Sequence, residues 1–274
     1  MTAPLQPPPA PLYCAVIEYD GSDFLGFQAQ AQGRTVQGEL EAALARLTQS
    51  PTRVIGAGRT DAGVHALGQV IAFRSEWRHS LSDLHRGLNA LLPPDISAHT
   101  VALAPPHFHP RFSALARWYR YQIGIWPGHS PLKARYAWEV GPQLDLTTMN
   151  QAAAHLIGSH DFAAFGQPPQ GEITIRHVSE AAWRAAGEYL LCDLRANAFL
   201  RHMVRNIVAT LVWVGQGRLA PDDVAAILAQ RRRAASAPPA PPQGLILMAV
   251  TYPDAFPISQ VFPGQPAPSK EFIP

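Results

Sequence analysis

The chain has 274 residues, 47% of them hydrophobic, and a formal net charge of +2. It is too long for one small module and apolar enough for a sizeable core, which excludes disorder over the whole length. Its apolar runs, such as 207–214, stop well short of the roughly 20 residues of a membrane span, and its start lacks the features of a signal peptide. A cytoplasmic protein is expected.

Cys14 and Cys192 stand alone in apolar runs, too few for a disulfide framework or a zinc site. Of the 22 basic residues, 20 are arginine, whose planar fork suits phosphate, although a genome rich in G and C would give the same bias. Eight arginines and six histidines fall between Arg53 and Arg120 against four acids, which describes a moderately basic face.

The segments 1–11, 234–243 and 256–274 hold 14 of the 27 prolines and read as a tail, a loop and a second tail. After the first tail, alternation over Leu12–Tyr19 predicts a strand. Val36, Leu40, Leu44 and Leu47 predict a helix behind a Thr35 N-cap. Apolar runs at 54–55 and 70–73 predict strands on either side of a glycine-rich loop. Ser80 with Asp83 predicts a capping box for a helix carrying Leu81, Leu84, Leu88 and Leu91. Pro93 and Pro94 stop it before a strand at Ile96–Leu103.

The second half repeats this β-α-β-β-α-β order. A strand is predicted at 118–125, a helix at 147–157 capped by Gly158, and a hairpin of 173–183 with Tyr189–Ala196 around Gly187. A long helix at 199–214, a shorter one opened by Pro221 and a strand at 245–250 complete it. The expected fold is α+β: two ferredoxin-like halves, 12–105 and 106–255, with mainly antiparallel sheets and an active-site cleft between them.

The most unusual stretch is Gly56-Ala57-Gly58-Arg59-Thr60-Asp61-Ala62-Gly63-Val64-His65. It could be a long hairpin loop with Asp61 and Gly63 as turn residues. It matches neither a phosphate-binding loop nor a dinucleotide fingerprint. Asp61 and His65 could ligate a metal, but no second cluster accompanies them, so no metal site is expected.

From Gly58 to His65, continued by Gly68-Gln69-Val70, the sequence resembles the catalytic loop of A-type tRNA pseudouridine synthases. Tyr19-Asp20-Gly21, Phe24-Leu25-Gly26-Phe27-Gln28 and Thr35-Val36-Gln37-Gly38-Glu39-Leu40 resemble the family's opening. His109-Pro110-Arg111-Phe112-Ser113-Ala114, Arg117-Trp118-Tyr119-Arg120-Tyr121, His160-Asp161-Phe162 and Leu200-Arg201-His202-Met203-Val204-Arg205-Asn206 follow in family order. Phe27 stands where the family usually has Trp, and the stretch after Phe165 matches poorly.

The resemblance implies an isomerase that converts uridine to pseudouridine in the anticodon stem-loop of tRNA, at positions 38, 39 and 40, with no cofactor. Asp61 would act on the ribose as nucleophile or as base; the sequence leaves both open. The target nucleotide would be flipped out, with Arg59 filling the vacated space and Tyr119 stacking on the uracil. Because neighbouring strand residues alternate faces, only one of Trp118 and Tyr119 should face the cleft. Arg205 would pair with Asp61 and keep it ionised, and His109 and Arg111 would contact RNA. His65 and His202 are read as structural. A homodimer is implied by the resemblance alone. The alternatives are a non-catalytic RNA-binding module and a metal-dependent hydrolase using Asp61 and His65.

Overall fold

The structure is a computed structural model that describes residues 9–141, 143–168 and 171–256. Most of the proline-rich tails expected at 1–11 and 256–274, and part of the 166–172 loop, lie outside the described residues.

The first half runs β1 (Leu12–Tyr19), α1 (Val36–Thr48), β2 (Val54–Gly56), β3 (His65–Arg74), α2 (Leu81–Leu91) and β4 (Ile96–Leu103). β1 pairs antiparallel with both β3 and β4, and β2 pairs antiparallel with β3, so the strand order is β4-β1-β3-β2. Thr35 is extended, and its hydroxyl accepts from Gly38 N at 3.2 Å, satisfying one amide that the first turn of α1 leaves unpaired. α1 buries Val36, Leu40, Ala43 and Leu44. Ser80 caps α2 in the same way through Asp83 N, and its hydroxyl donates to the Asp83 carboxylate at 2.6 Å.

The second half runs β5 (Ala116–Gly124), β6 (Trp138–Glu139), α3 (Leu146–Ala154), β7 (Gly158–Asp161), β8 (Ile175–Ala186), β9 (Tyr189–Ala196), α4 (Met203–Gly215), α5 (Asp223–Gln230) and β10 (Leu245–Thr251). β8 and β9 form the expected hairpin, with Gly187 at φ +59 where the chain reverses. The expected helix boundaries need correction. α4 starts at Met203 rather than 199, because His202 has a left-handed backbone (φ 62) that no helix continues through. α5 starts two residues after Pro221, and Gly158, at φ +104, opens β7 rather than closing α3. β6 and β7 were not expected: one has two residues, and the other is a polar tetrapeptide without alternation.

One sheet joins the halves. β10 lies between β3 and β5, parallel to β3 through Ile246 and Leu247 and antiparallel to β5. The path is β4-β1-β3-β10-β5-β9-β8-β7, with β2 and β6 to the side, and among the described residues only β10–β3 and β6–β5 are parallel. α1 and α2 pack with the first half; α3, α4 and α5 pack with the second. The main core includes Tyr119, Tyr121 and Ile123 of β5, whereas Trp118 clusters separately with Ile246, Met248 and Ala249. Among the described residues no helix is long and apolar enough to cross a membrane.

Candidate active site

The loop between β2 and β3 is anchored at several of its residues. Ala57 N donates to Val70 O at 2.7 Å, and Gln69 Nε2 donates to Gly58 O at 3.0 Å. The Thr60 hydroxyl bonds Tyr19 Oη at 2.8 Å, and Thr60 O accepts from Phe27 N at 3.1 Å. Val64 N closes a turn onto Asp61 O at 3.2 Å. The opening segment packs so tightly here that a Cβ on Gly21 would stand 2.0 Å from Val64 O. A carboxylate on such a loop keeps its geometry without cost at the moment of reaction.

Asp61 and Arg205 are brought together. Arg205, in the first turn of α4, places Nη1 3.0 Å from Asp61 Oδ2 and donates from Nε to Ala240 O at 2.6 Å. Ala240 N returns a bond to Arg205 O at 3.1 Å, so helix and strap fix the guanidinium together. The Asp61 side chain is 30% exposed and that of Arg205 13%. Asp61 thus remains open to a ligand while its cation is withdrawn. No hydrogen bond reaches Asp61 Oδ1 among the described residues.

Tyr119 lies on the loop's side of the sheet. Its ring meets Phe199 edge-on with centroids 5.2 Å apart, and its hydroxyl would stand 4.0 Å from a Cβ on Gly58. Burial pushes the phenol well above its usual pKa, so it keeps its proton. Trp118 faces the other way, with Nε1 2.7 Å from Asp193 Oδ1. Of the adjacent pair, only the tyrosine reaches the loop.

Arg59 is exposed and makes no ion pair or side-chain hydrogen bond among the described residues. His109 and Arg111 sit on the turn before β5, which belongs to the same framework. His109 Nδ1 accepts from the backbone amides of Arg111 and Phe112 at 3.1 and 3.3 Å, which shapes that turn. Arg111 lies half-buried with its guanidinium 5.4 Å from the Phe112 ring centre.

Two residues escaped the sequence reading as parts of this site. Buried Arg117 donates to the carbonyls of Ala57, Arg111, Ala114 and Asn197, binding the loop, the His109–Arg111 turn and the β9–α4 connection together. Burial lowers its pKa. An arginine on a strand gives no sign of such partners until the fold supplies them. His202, read as structural, stands with Nε2 3.5 Å from Asp61 Oδ2. His65 remains a packing residue. Its Nδ1 accepts from Gly21 N at 3.0 Å, its ring lies against Tyr136, and burial depresses its pKa. Among the described residues no three His, Cys, Asp or Glu side chains gather as a metal site would require.

A family model described as tRNA pseudouridine synthase matches residues 15–113 and 152–253. The chain is 48% identical over 244 residues to the tRNA pseudouridine synthase A of Roseiflexus castenholzii, covering 87% of this chain and 89% of that one. It is 44% identical over 262 residues to that of Methylococcus capsulatus, covering 94% and 96%, and 43% identical over 259 residues to that of Paraburkholderia xenovorans, covering 94% and 93%. A loop carboxylate facing an arginine from a distant helix is thus found in a chain that belongs to the tRNA pseudouridine synthase family, enzymes that isomerise uridine to pseudouridine in tRNA.

Proposed function

We propose that this enzyme modifies uridines 38, 39 and 40 in the anticodon stem-loop of tRNA, with Asp61 acting on the ribose of a flipped-out nucleotide. The contact between Asp61 and Arg205 carries this reading. A partly exposed carboxylate held against a largely buried cation, on a loop anchored at several residues, suits action on a sugar and is superfluous in a module that only binds RNA. A base in a paired stem is out of reach, so the nucleotide leaves its stack. Arg59, exposed on the loop and without an ion pair among the described residues, occupies the vacated space, and Tyr119 supports the uracil. Arg205 orients Asp61 and balances its charge, and His109 and Arg111 meet the RNA backbone on the turn that Arg117 ties to the loop.

The strand orders β4-β1-β3-β2 and β10-β5-β9-β8 are read as two ferredoxin-like units, 12–105 and 106–255, with the site in the cleft between them. The working form is a homodimer in the cytoplasm. Isomerisation leaves the atoms and oxidation state of the base unchanged, so no cofactor is needed. Incubation with unmodified tRNA, without added metal or cofactor, and mapping of pseudouridine by position tests the proposal. Product at 38, 39 and 40 is expected; product only elsewhere in the tRNA overturns the site assignment.

A further inference from the structure

His202 has φ 62 and ψ 1, a left-handed conformation that glycine or asparagine adopts with less steric conflict. Its side chain does not cap α4. The imidazole instead reaches towards the β2–β3 loop, where Nε2 lies 3.5 Å from Asp61 Oδ2 and 37% of the side chain stays exposed. A side chain on unfavourable backbone, spent on neither cap nor core, is positioned for contact with that carboxylate.

The chemistry sets where a base must stand. The N1–C1′ bond breaks and a C5–C1′ bond forms, leaving C5 with both the sugar carbon and its original hydrogen. That hydrogen departs as a proton, its bonding pair restores the ring double bond, and N1 takes one proton from solvent. Because C5 bonds to C1′ of the ribose on which Asp61 acts, its hydrogen is released close to the Asp61 carboxylate. Arg205 has no lone pair to receive it, and buried Tyr119 already holds its own proton.

The charged groups facing His202 are Asp61 from the loop, Arg205 from α4, the neighbouring Arg201, and Arg233 from the segment after α5. Burial lowers the imidazole pKa below 6.5, Asp61 opposes this, and the three arginines lower it further. The ring is therefore neutral at neutral pH and can accept a proton.

We propose that His202 is a second catalytic residue of the isomerisation: its neutral imidazole, held beside Asp61, takes the C5 proton and releases it to solvent through its exposed edge. This rests on Asp61 acting on the ribose, so Asp61→Asn is assayed alongside. The test is single-turnover pseudouridine formation by wild type and His202→Asn on tRNA with hydrogen or deuterium at C5 of the target uridine. Asparagine tolerates the left-handed backbone, so the melting temperature should equal or exceed that of wild type. The rate should fall on the order of 100-fold, and the deuterium isotope effect should rise above the wild-type value. A wild-type rate, or a slow variant with an unchanged isotope effect, overturns the role of His202. Undiminished activity in Asp61→Asn would instead remove the reading beneath it.

Discussion

Arg205 and Asp61 are 144 residues apart in sequence and 3.0 Å apart in space, Nη1 to Oδ2. The same guanidinium holds the Ala240 carbonyl, so one side chain orients the carboxylate and pins the strap leading into β10. Arg205→Ala removes both contacts. It should lower stability by about 1–3 kcal/mol and the single-turnover rate by on the order of 100-fold. Arg205→Lys restores the charge without the planar fork and should fall between Ala and wild type. Urea denaturation and single-turnover rates measure the two effects separately. An alanine variant as fast as wild type would show that the pair is only structural.

Gly21 carries a second prediction, made on a buried residue with no side chain. A Cβ there would meet Val64 O at 2.0 Å and Val64 C at 2.5 Å, backbone atoms that cannot rotate away. Gly21→Ala must displace the end of the catalytic loop, costing about 1–3 kcal/mol and much of the activity. Thermal melts and turnover, taken at a temperature where the variant is folded, check this. An active variant with unaltered stability would mean that the loop is looser than its contacts indicate.

Much of this arrangement is legible in the sequence because its signals are local. Thr35, Ser80 and Gly187 perform the capping and turning that their positions predict, and alternation in β5 separates Tyr119 from Trp118. The approach of Asp61 to Arg205 was foreseen only through resemblance, since nothing in either segment points to the other. Arg117 and His202 were missed for the same physical reason: their partners are carbonyls and a carboxylate delivered by distant segments. The start of the helix at 199 was misjudged because apolar spacing continues through His202, where the backbone turns left-handed.

Arg111 should reveal itself through salt. Its guanidinium has no acidic partner among the described residues, so it can meet a phosphate without breaking an ion pair. Arg111→Ala should weaken tRNA binding and reduce the slope of log K against log salt by about 1. Binding titrations at several salt concentrations measure the slope. An unaltered slope places Arg111 outside the RNA interface.

Acid should destabilise the fold in two stages. Burial lowers the His65 pKa in the folded protein, so between 6.5 and that lower value the unfolded chain binds more protons, and stability falls as pH drops through this window. His99 acts oppositely. Its hydrogen bond to Glu18 raises its pKa, giving stability that is full below 6.5 and lost as pH rises through the folded value, but the pair is exposed and screened. At lower pH Asp20 adds a further loss. Burial alone would raise its pKa, but bonds from Ser22 and Tyr136, with His65 nearby, hold it well below 3.8. The stability it contributes above 3.8 disappears as pH falls towards the folded value. Denaturation midpoints from pH 7.5 downward should decline; a rise between 7.5 and 5.5 contradicts the assignment to His65.

Asp61→Asn tests the central claim most directly, because the amide keeps the size of the side chain and removes only its charge and basicity. The measurement is single-turnover pseudouridine formation on unmodified tRNA, paired with tRNA affinity and melting temperature for the same variant. The account predicts near-complete loss of product with binding and stability close to wild type. Product formed at the wild-type rate would contradict it.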